Sequence, residues 1–399
     1  MKIAIIGGGA AGYTAAIAAA ERGLSVTIYE RCDKAAKKIL ATGNGRCNMS
    51  NINADVNNYH GANPKFISGV MHKFWVDETL DFFERLGIVP KIEENGKIFP
   101  FSYQAAAVSD VLRFEAQRLG VNTVCGFEVS KIKKSGDGFL ITSYSGRETK
   151  ADKIILAAGG KASPSLGSNG SGYELAKSLG HRITRLFPSL VQIKTDNRYT
   201  KALQGLKING SAAFYKDGKR KKVSDGEILF TDYGLSGPPI FNLSRLVSEG
   251  NGGEIRLDLM PEFSKEEVAA MLKKRSNPQK PLENYLIGML PKKLGQVLLK
   301  ACGIAPLSRM STGLSGKEID IIAEKIKAWS FAAEGTMPWN NAQVTAGGVD
   351  TAEVNPTTLE SKKVKGLYFA GEILDIDGDC GGYNLQWAWS SGYIAGMNV

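Results

Sequence analysis

A chain of 399 residues exceeds one ordinary domain and predicts two or three. With 43% hydrophobic and 23% charged residues, disorder and fibrous repeats are excluded, and 46 glycines without a collagen period imply close backbone approaches. The net charge of +10 admits an anionic partner, but the basic runs (Lys131 to Lys134, Lys219 to Lys222, Lys273 to Arg275) never interleave with aromatics, so a solvated surface is expected rather than a nucleic-acid platform.

Met1 to Ala20 is apolar enough to imitate a signal peptide. Lys2 is its only cation, though, glycines interrupt it, and it runs into Glu21-Arg22-Gly23 instead of a small-residue cleavage site. It reads as folded structure. Ile3 to Ile6 is a short buried strand, Ala10 to Arg22 a helix stopped by Gly23, and Ser25 to Glu30 a second strand: one βαβ unit. Helices follow near Val76–Leu86 and Gln104–Leu119, with an extended piece at Lys97–Phe101 between them. Val121 to Lys150 then predicts a meander of three short strands turning at Ser135-Gly136-Asp137-Gly138.

Lys153 to Ala158 is again a buried parallel strand, ending in Gly159-Gly160. Ser189 to Leu259 reads as antiparallel β with a hairpin near Lys216-Asp217-Gly218. Two Ser-x-x-Glu capping boxes, at Ser264 and Ser315, open helices in a segment from about Pro261 to Trp329. Gly366 to Ala370 is a strand and Leu385 to Met397 a last helix. A β and helical block between two α/β stretches predicts an insertion into one Rossmann-like domain. No stretch reaches the ~18 apolar residues of a membrane span. The five cysteines form no Cys-x-x-Cys pair, which points to a reducing, cytoplasmic setting. The three histidines show no metal-ligand spacing.

Gly7-Gly8-Gly9-Ala10-Ala11-Gly12 fits G-x-G-x-x-G directly between strand and helix. Gly7 permits the turn, Gly9 lets a pyrophosphate approach the backbone, and Gly12 allows close helix–strand packing. Glu30, 18 residues past Gly12, is placed to accept hydrogen bonds from adenosine ribose hydroxyls. A meander where a nicotinamide enzyme would continue with helices favours FAD. The C-terminal stretch agrees: Gly371-Glu372 ends a strand, Asp375 to Asp379 follow, and Gly381-Gly382-Tyr383-Asn384 opens a helix whose N-terminus would stabilise negative charge on reduced flavin.

Lys37-Lys38-Ile39-Leu40 leads into Thr42-Gly43-Asn44-Gly45-Arg46-Cys47-Asn48-Met49-Ser50-Asn51. With Gly226 to Thr231 through Ser236-Gly237-Pro238, Val344-Thr345-Ala346-Gly347-Gly348-Val349, and Gly381 through Gln386-Trp387-Ala388-Trp389, this resembles a family of bacterial flavoproteins. These are the NAD(P)/FAD-dependent oxidoreductases that include aminoacetone oxidases and bile-acid 3-dehydro-Δ4,6-reductases. The resemblance spans nearly the whole chain. Two departures stand out: Cys32-Asp33-Lys34-Ala35-Ala36 replaces a polar-Leu-Gly approach to the lysines, and Asn44 stands where glycine is common.

The resemblance implies an α/β, glutathione-reductase-type FAD-binding domain (1–188 and 341–399) interrupted by a β-barrel (189–260 and 330–340) and a helical part (261–329), with non-covalent FAD. The expected cofactor contacts are Gly7, Gly9, Ala10, Ala11, Gly12, Glu30 and Arg31; Lys38, Thr42, Gly43, Gly45, Arg46, Cys47 and Asn48; Val129, Ala158, Gly159 and Gly160; and Gly371, Glu372, Asp377, Gly382, Tyr383, Asn384 and Leu385. Arg46, Asn48 and Tyr383 are the catalytic candidates, because hydride transfer needs orientation and a polarising donor more than a base. Cys47 reads as a packed or flavin-adjacent neutral thiol rather than a redox thiol.

The expected activity is reduction of a small unsaturated, carbonyl or imine substrate, with NAD(P)H visiting the flavin transiently. The alternatives are an oxygen-using oxidase of an amine or aminoketone and an FAD-dependent RNA-modifying enzyme. The substrate pocket is expected between the FAD domain and the insert.

Overall fold

A computed structural model describes residues 1–93, 95–250, 252–275 and 280–399. The chain divides into two compact units, Met1–Ser189 with Trp339–Val399, and Leu190–Pro338.

The first unit is built on a five-stranded parallel sheet in the order Leu367–Phe369, Lys153–Leu156, Lys2–Ile6, Ser25–Tyr29, Asn122–Val124. The run Ile3 to Ile6 is buried throughout, as a central strand covered on both faces requires. The helix Ala10–Glu21 is buried over almost its whole length, and its alanines keep it thin enough to be covered on every side. Beyond it Gly23 turns the chain with φ +79.

The last helix, Tyr383–Asn398, lies against that first helix. Gly392 and Gly396, four residues apart and so on one face, meet the backbone of Ala11 and Ala15; a methyl group on either glycine would overlap the facing carbonyl oxygen. Arg22 Nη1 donates to the carbonyls of Gly396 (3.0 Å) and Val399 (2.8 Å), satisfying acceptors that a helix end leaves open. The two ends of the sequence are thereby joined.

Most elements fall where the periodicity puts them, including Val76–Arg85, Ala105–Arg118 and Lys97–Pro100. Between Val121 and Ala151 the structure has four strands instead of three. Asn122–Val124 pairs in parallel with Ser25–Tyr29 as the edge of the main sheet, and the antiparallel meander comprises Val129–Ser135, Gly138–Ser143 and Glu148–Ala151. Three residues carry too little pattern to reveal which strand they will join.

The second unit is a closed antiparallel barrel in the order Ile193–Thr195, Gly234–Ser236, Lys219–Phe230, Lys207–Lys216, Gly253–Asp258, Trp329–Thr336. Its long hairpin turns at Asp217 (φ +51) and Gly218 (φ +73), the two left-handed residues a tight hairpin favours. The expectation of continuous β from Ser189 to Leu259 fails at Pro238–Gly250, a helix. Its prolines stand at the start, where no backbone donor is missed, and Ile240, Leu243, Ser244 and Val247 form its buried stripe. Helices Lys265–Lys274, Lys292–Ala301 and Gly316–Lys327 follow, the first and third opened by reciprocal capping boxes at Ser264/Glu267 and Ser315/Glu318. Barrel and helices share one buried apolar cluster.

Replacing Gly396 by Val should destabilise the first unit by about 1–3 kcal/mol through overpacking. A lower thermal midpoint in calorimetry, absent for the exposed Gly316→Ala control, whose backbone is not left-handed and whose added methyl meets no atom within 4 Å, would register it.

Candidate functional site

The first glycine-rich turn uses its glycines in three different ways. Gly7 sits at φ +107, and a side chain there would overlap the Ala157 carbonyl. One on Gly12 would overlap the carbonyl of Gly7, whereas beside Gly9 no atom lies within 4 Å. Ala10 and Ala11 open the helix, whose N-terminus has no side-chain cap. At the end of the second strand, Glu30 Oε2 accepts the Gly8 N–H (2.8 Å) and Oε1 the Cys32 N–H (2.8 Å), so the carboxylate is held in place by backbone donors. A cleft opens beside it, lined by Ile6, Gly7, Tyr29, Glu30, Arg31, Phe127, Val129 and Ala158 among others. Arg31 is fixed at its rim by Glu128 Oε1 (3.2 Å) and the Gly167 carbonyl (3.3 Å).

The 42–51 loop is wound tightly, with Gly43, Asn44, Gly45 and Cys47 all at positive φ. Asn44 and, upstream, Ala36 (φ +63) occupy the left-handed region without being glycine, and these are the two places where the chain departs from the flavoprotein pattern. Buried side chains tie the loop to the last helix. Asn51 Nδ2 donates to the Gly381 carbonyl (3.0 Å) and Trp389 Nε1 to the Met49 carbonyl (2.9 Å). Gln386, fully buried, accepts from Ser50 and donates to Thr79 and Ser390. Gly382 (φ +102) precedes the helix, again without a side-chain cap, so Tyr383, Asn384 and Leu385 form its first turn. Beside Gly382 the Oδ1 of Asn48 is buried with no hydrogen-bond partner.

A third cluster stands at the ends of the neighbouring strands. Lys38 Nζ meets Glu372 Oε2 at 2.7 Å, and Glu372 Oε1 accepts the Thr345 N–H at 2.9 Å. Thr345 Oγ1 in turn accepts the N–H groups of Lys161 (2.7 Å) and Ala162 (3.0 Å). A side chain on Gly160 would overlap this group, and Gly159 (φ +71) and Gly371 (φ +78) make the adjoining turns. Thr345, Gln386 and Thr79 are absent from the sequence-derived site residues. The first two lie inside the quoted motifs, but only their buried partners reveal what they do.

Two expected site residues are engaged elsewhere. Arg46 is exposed, its guanidinium 4.6 Å from the Phe99 ring centre and 3.7 Å from Glu93 Oε1, so its charge anchors the loop to the 90–103 hairpin. Asp377 is 1% exposed and accepts the Ser189 hydroxyl (3.3 Å), so its carboxylate is an interior group. Tyr383 is half-buried; its carbonyl accepts the Tyr59 hydroxyl (3.0 Å), and burial raises its phenol above the ordinary value. Cys47 is fully buried, which pushes its thiol up to about 12. The thiol is packed in the interior.

A family model described as the HI0933-like protein Rossmann domain matches residues 1–398. The chain belongs to that family. As an HI0933-like protein it is an FAD-dependent oxidoreductase that holds FAD non-covalently. It is 41% identical over 403 residues to the 3-dehydro-bile acid delta(4,6)-reductase of Clostridium scindens, covering 99% of this chain and 98% of that protein. It is 30% identical over 400 residues to the ribosomal RNA dihydrouridine synthase of Haemophilus influenzae, covering 99% and 97%. The solved 3-ketosteroid-Δ4-(5α)-dehydrogenase of Rhodococcus jostii RHA1 aligns with a TM-score of 0.47 at 15% identity, covering 99% of this chain and 96% of that one. Among the described residues no helix is long and apolar enough to cross a membrane.

The residues present fit FAD. Open space beside Gly9 at an uncapped helix start suits a pyrophosphate, the cleft next to Glu30 suits an adenosine, and the orphaned Asn48 Oδ1 suits a ring N–H.

The raised Cys47 pKa gives an alkaline signature. The unfolded thiol ionises from about 9 while the folded one holds its proton to about 12, so this contribution to stability is intact below pH 9 and declines across that window. Cys47→Ala should therefore lose less stability than wild type between pH 8.5 and 10.5 (an order-of-magnitude window), as read from melting midpoints.

Proposed function

We propose that this HI0933-like protein reduces a carbon–carbon double bond conjugated to a carbonyl in a small molecule, with NADH or NADPH as donor. The observation that carries this reading is 41% identity, end to end, to a protein named as a reductase of a 3-dehydro, delta(4,6) compound. That name describes double bonds in conjugation with an oxo group. Reduction of such a bond favours this over an amine or aminoketone oxidase.

Bound FAD supplies hydride transfer at its ring N5. The chain's part is to hold it. Glu30 would accept hydrogen bonds from the ribose hydroxyls, the Gly9 turn and the first helix N-terminus would hold the pyrophosphate, and Arg31 and Val129 would border the adenine. Asn48 Oδ1 would accept a hydrogen bond from a flavin ring N–H, and the Gly382–Leu385 helix start would offer its N–H groups to developing negative charge. Lys38, Glu372 and Thr345 form a preorganised polar wall between these two ends. With one dinucleotide fingerprint, taken by FAD, the nicotinamide visits the flavin face and leaves.

A second reading, reduction of a uracil in RNA, is favoured by the 30% identical dihydrouridine synthase, since that double bond is also conjugated to a carbonyl. The bond chemistry is common to both readings, and the scaffold differs.

Anaerobic NADH or NADPH should bleach the bound flavin near 450 nm (roughly, as flavins generally absorb), and a 4,6-dien-3-oxo steroid should restore the colour. Recovery only with unmodified ribosomal RNA, together with steeply salt-dependent retardation of that RNA, would replace the small-molecule reading. Bleaching by amines alone would replace reduction by oxidation. Glu30→Gln should weaken FAD binding about tenfold, the ~1.4 kcal/mol of one charge-assisted hydrogen bond, in a fluorescence titration.

A further inference from the structure

His60 and Asp379 form an ion-pair contact that the cofactor assignments do not use. His60 Nε2 lies 2.9 Å from Asp379 Oδ1, and both side chains are half-buried, with 28% and 16% of their surface exposed. Asp379 stands three residues before Gly382, the residue that precedes the last helix, and His60 pairs with Asp377 on the same segment. The pair's place is set by backbone. Asp377 and Gly378 pair with His60 and Tyr59, the Asp379 N–H bonds the Asn58 carbonyl (2.9 Å), and the Ala62 N–H bonds Asp375 Oδ2 (3.1 Å). These bonds already hold 58–62 against 375–379, so the imidazole–carboxylate contact is not needed as a staple.

The other titratable groups on the two paired segments and at the start of the last helix are poor proton sources. Tyr59 on its own strand spends its hydroxyl on the Tyr383 carbonyl, and burial raises it well above the ordinary value. Burial also raises Tyr383 and pushes Cys380 up to about 11, with Lys97 acting on Cys380 from the neighbouring strand. Asp375 accepts a backbone N–H and Asp377 a serine hydroxyl. Histidine is the side-chain type that gives up and regains a proton near neutrality, and a carboxylate on one ring nitrogen fixes its orientation.

We propose that His60 is the proton donor of the reductive reaction and Asp379 its positioning residue. This rests on the reading that the substrate carries a conjugated double bond. One alkene carbon gains hydrogen with its electron pair, the π bond opens, and the carbon next to the carbonyl takes the imidazolium proton. His60 recovers a proton from solvent, and the nicotinamide donor is the species oxidised overall.

The test separates the two halves of turnover in FAD-loaded wild type, His60→Gln, Asp379→Asn and Asp379→Glu. Bleaching by NADPH should proceed within twofold of wild type in all four. Reoxidation by a 4,6-dien-3-oxo steroid should slow about 100-fold or more in His60→Gln, the usual worth of a general acid. It should slow less in Asp379→Asn and recover in Asp379→Glu, and the wild-type pH dependence of this half should flatten in His60→Gln. FAD affinity, measured by fluorescence, should stay within twofold throughout. Wild-type reoxidation rates in His60→Gln, or a loss of FAD affinity parallel to the loss of rate, would overturn the proposal alone. A wild type that accepts no electrons onto the steroid would overturn the substrate reading and this proposal with it. If His60→Gln does not fold, Asp379→Asn with its Glu rescue decides the same question.

Discussion

Everything in the first unit depends on the close contact of its first and last helices. Glycines at 392 and 396 let the final helix reach the carbonyls of Ala11 and Ala15, a separation that no side chain would permit. Apolar burial alone would bring two helices to side-chain distance; only paired small residues bring them to backbone distance. Because each helix starts at a glycine turn without a side-chain cap, this contact also fixes two uncapped N-termini with respect to each other. A dinucleotide flavin has charge to stabilise at its pyrophosphate and at its reduced ring. Rigid coupling of two positive helix ends is suited to both demands.

A second constraint concerns polar groups sealed inside. Gln386 is wholly buried yet makes three hydrogen bonds, to Ser50, Thr79 and Ser390, and so locks the 42–51 loop to the helix. In a low-dielectric interior an unpaired amide would be costly, so the network admits one arrangement of the loop. Against that background Asn48 Oδ1 stands out beside the Gln386 network, buried with no hydrogen-bond partner. The Lys38–Glu372–Thr345 cluster works differently, since its charges are already matched and offer a fixed polar wall.

The βαβ opening, the insertion between α/β stretches and both capping boxes were legible in the sequence because each rests on local physics: period, glycine geometry or a four-residue cap. The helix Pro238–Gly250 was not, since its amphipathic stripe lies amid strand-like residues and its paired prolines read as a break. The partners of Arg46 were hidden for a related reason. Its donors in a loop of small residues suggested a ligand contact, and the Phe99 ring and Glu93 beside its guanidinium come from a hairpin some fifty residues away.

The amino-acid order by itself determined most of the strands and helices and where the nucleotide-binding turn lies, because these follow from neighbours along the chain. Tertiary structure alone decided which candidate groups meet. It joined Glu372 to Lys38 and Asn48 to Gly382, withdrew Asp377 into the interior, and set His60 beside Asp379. Those pairings depend on contacts between residues tens to hundreds of positions apart, and side-chain partnership at that range is settled by packing, which no local pattern encodes.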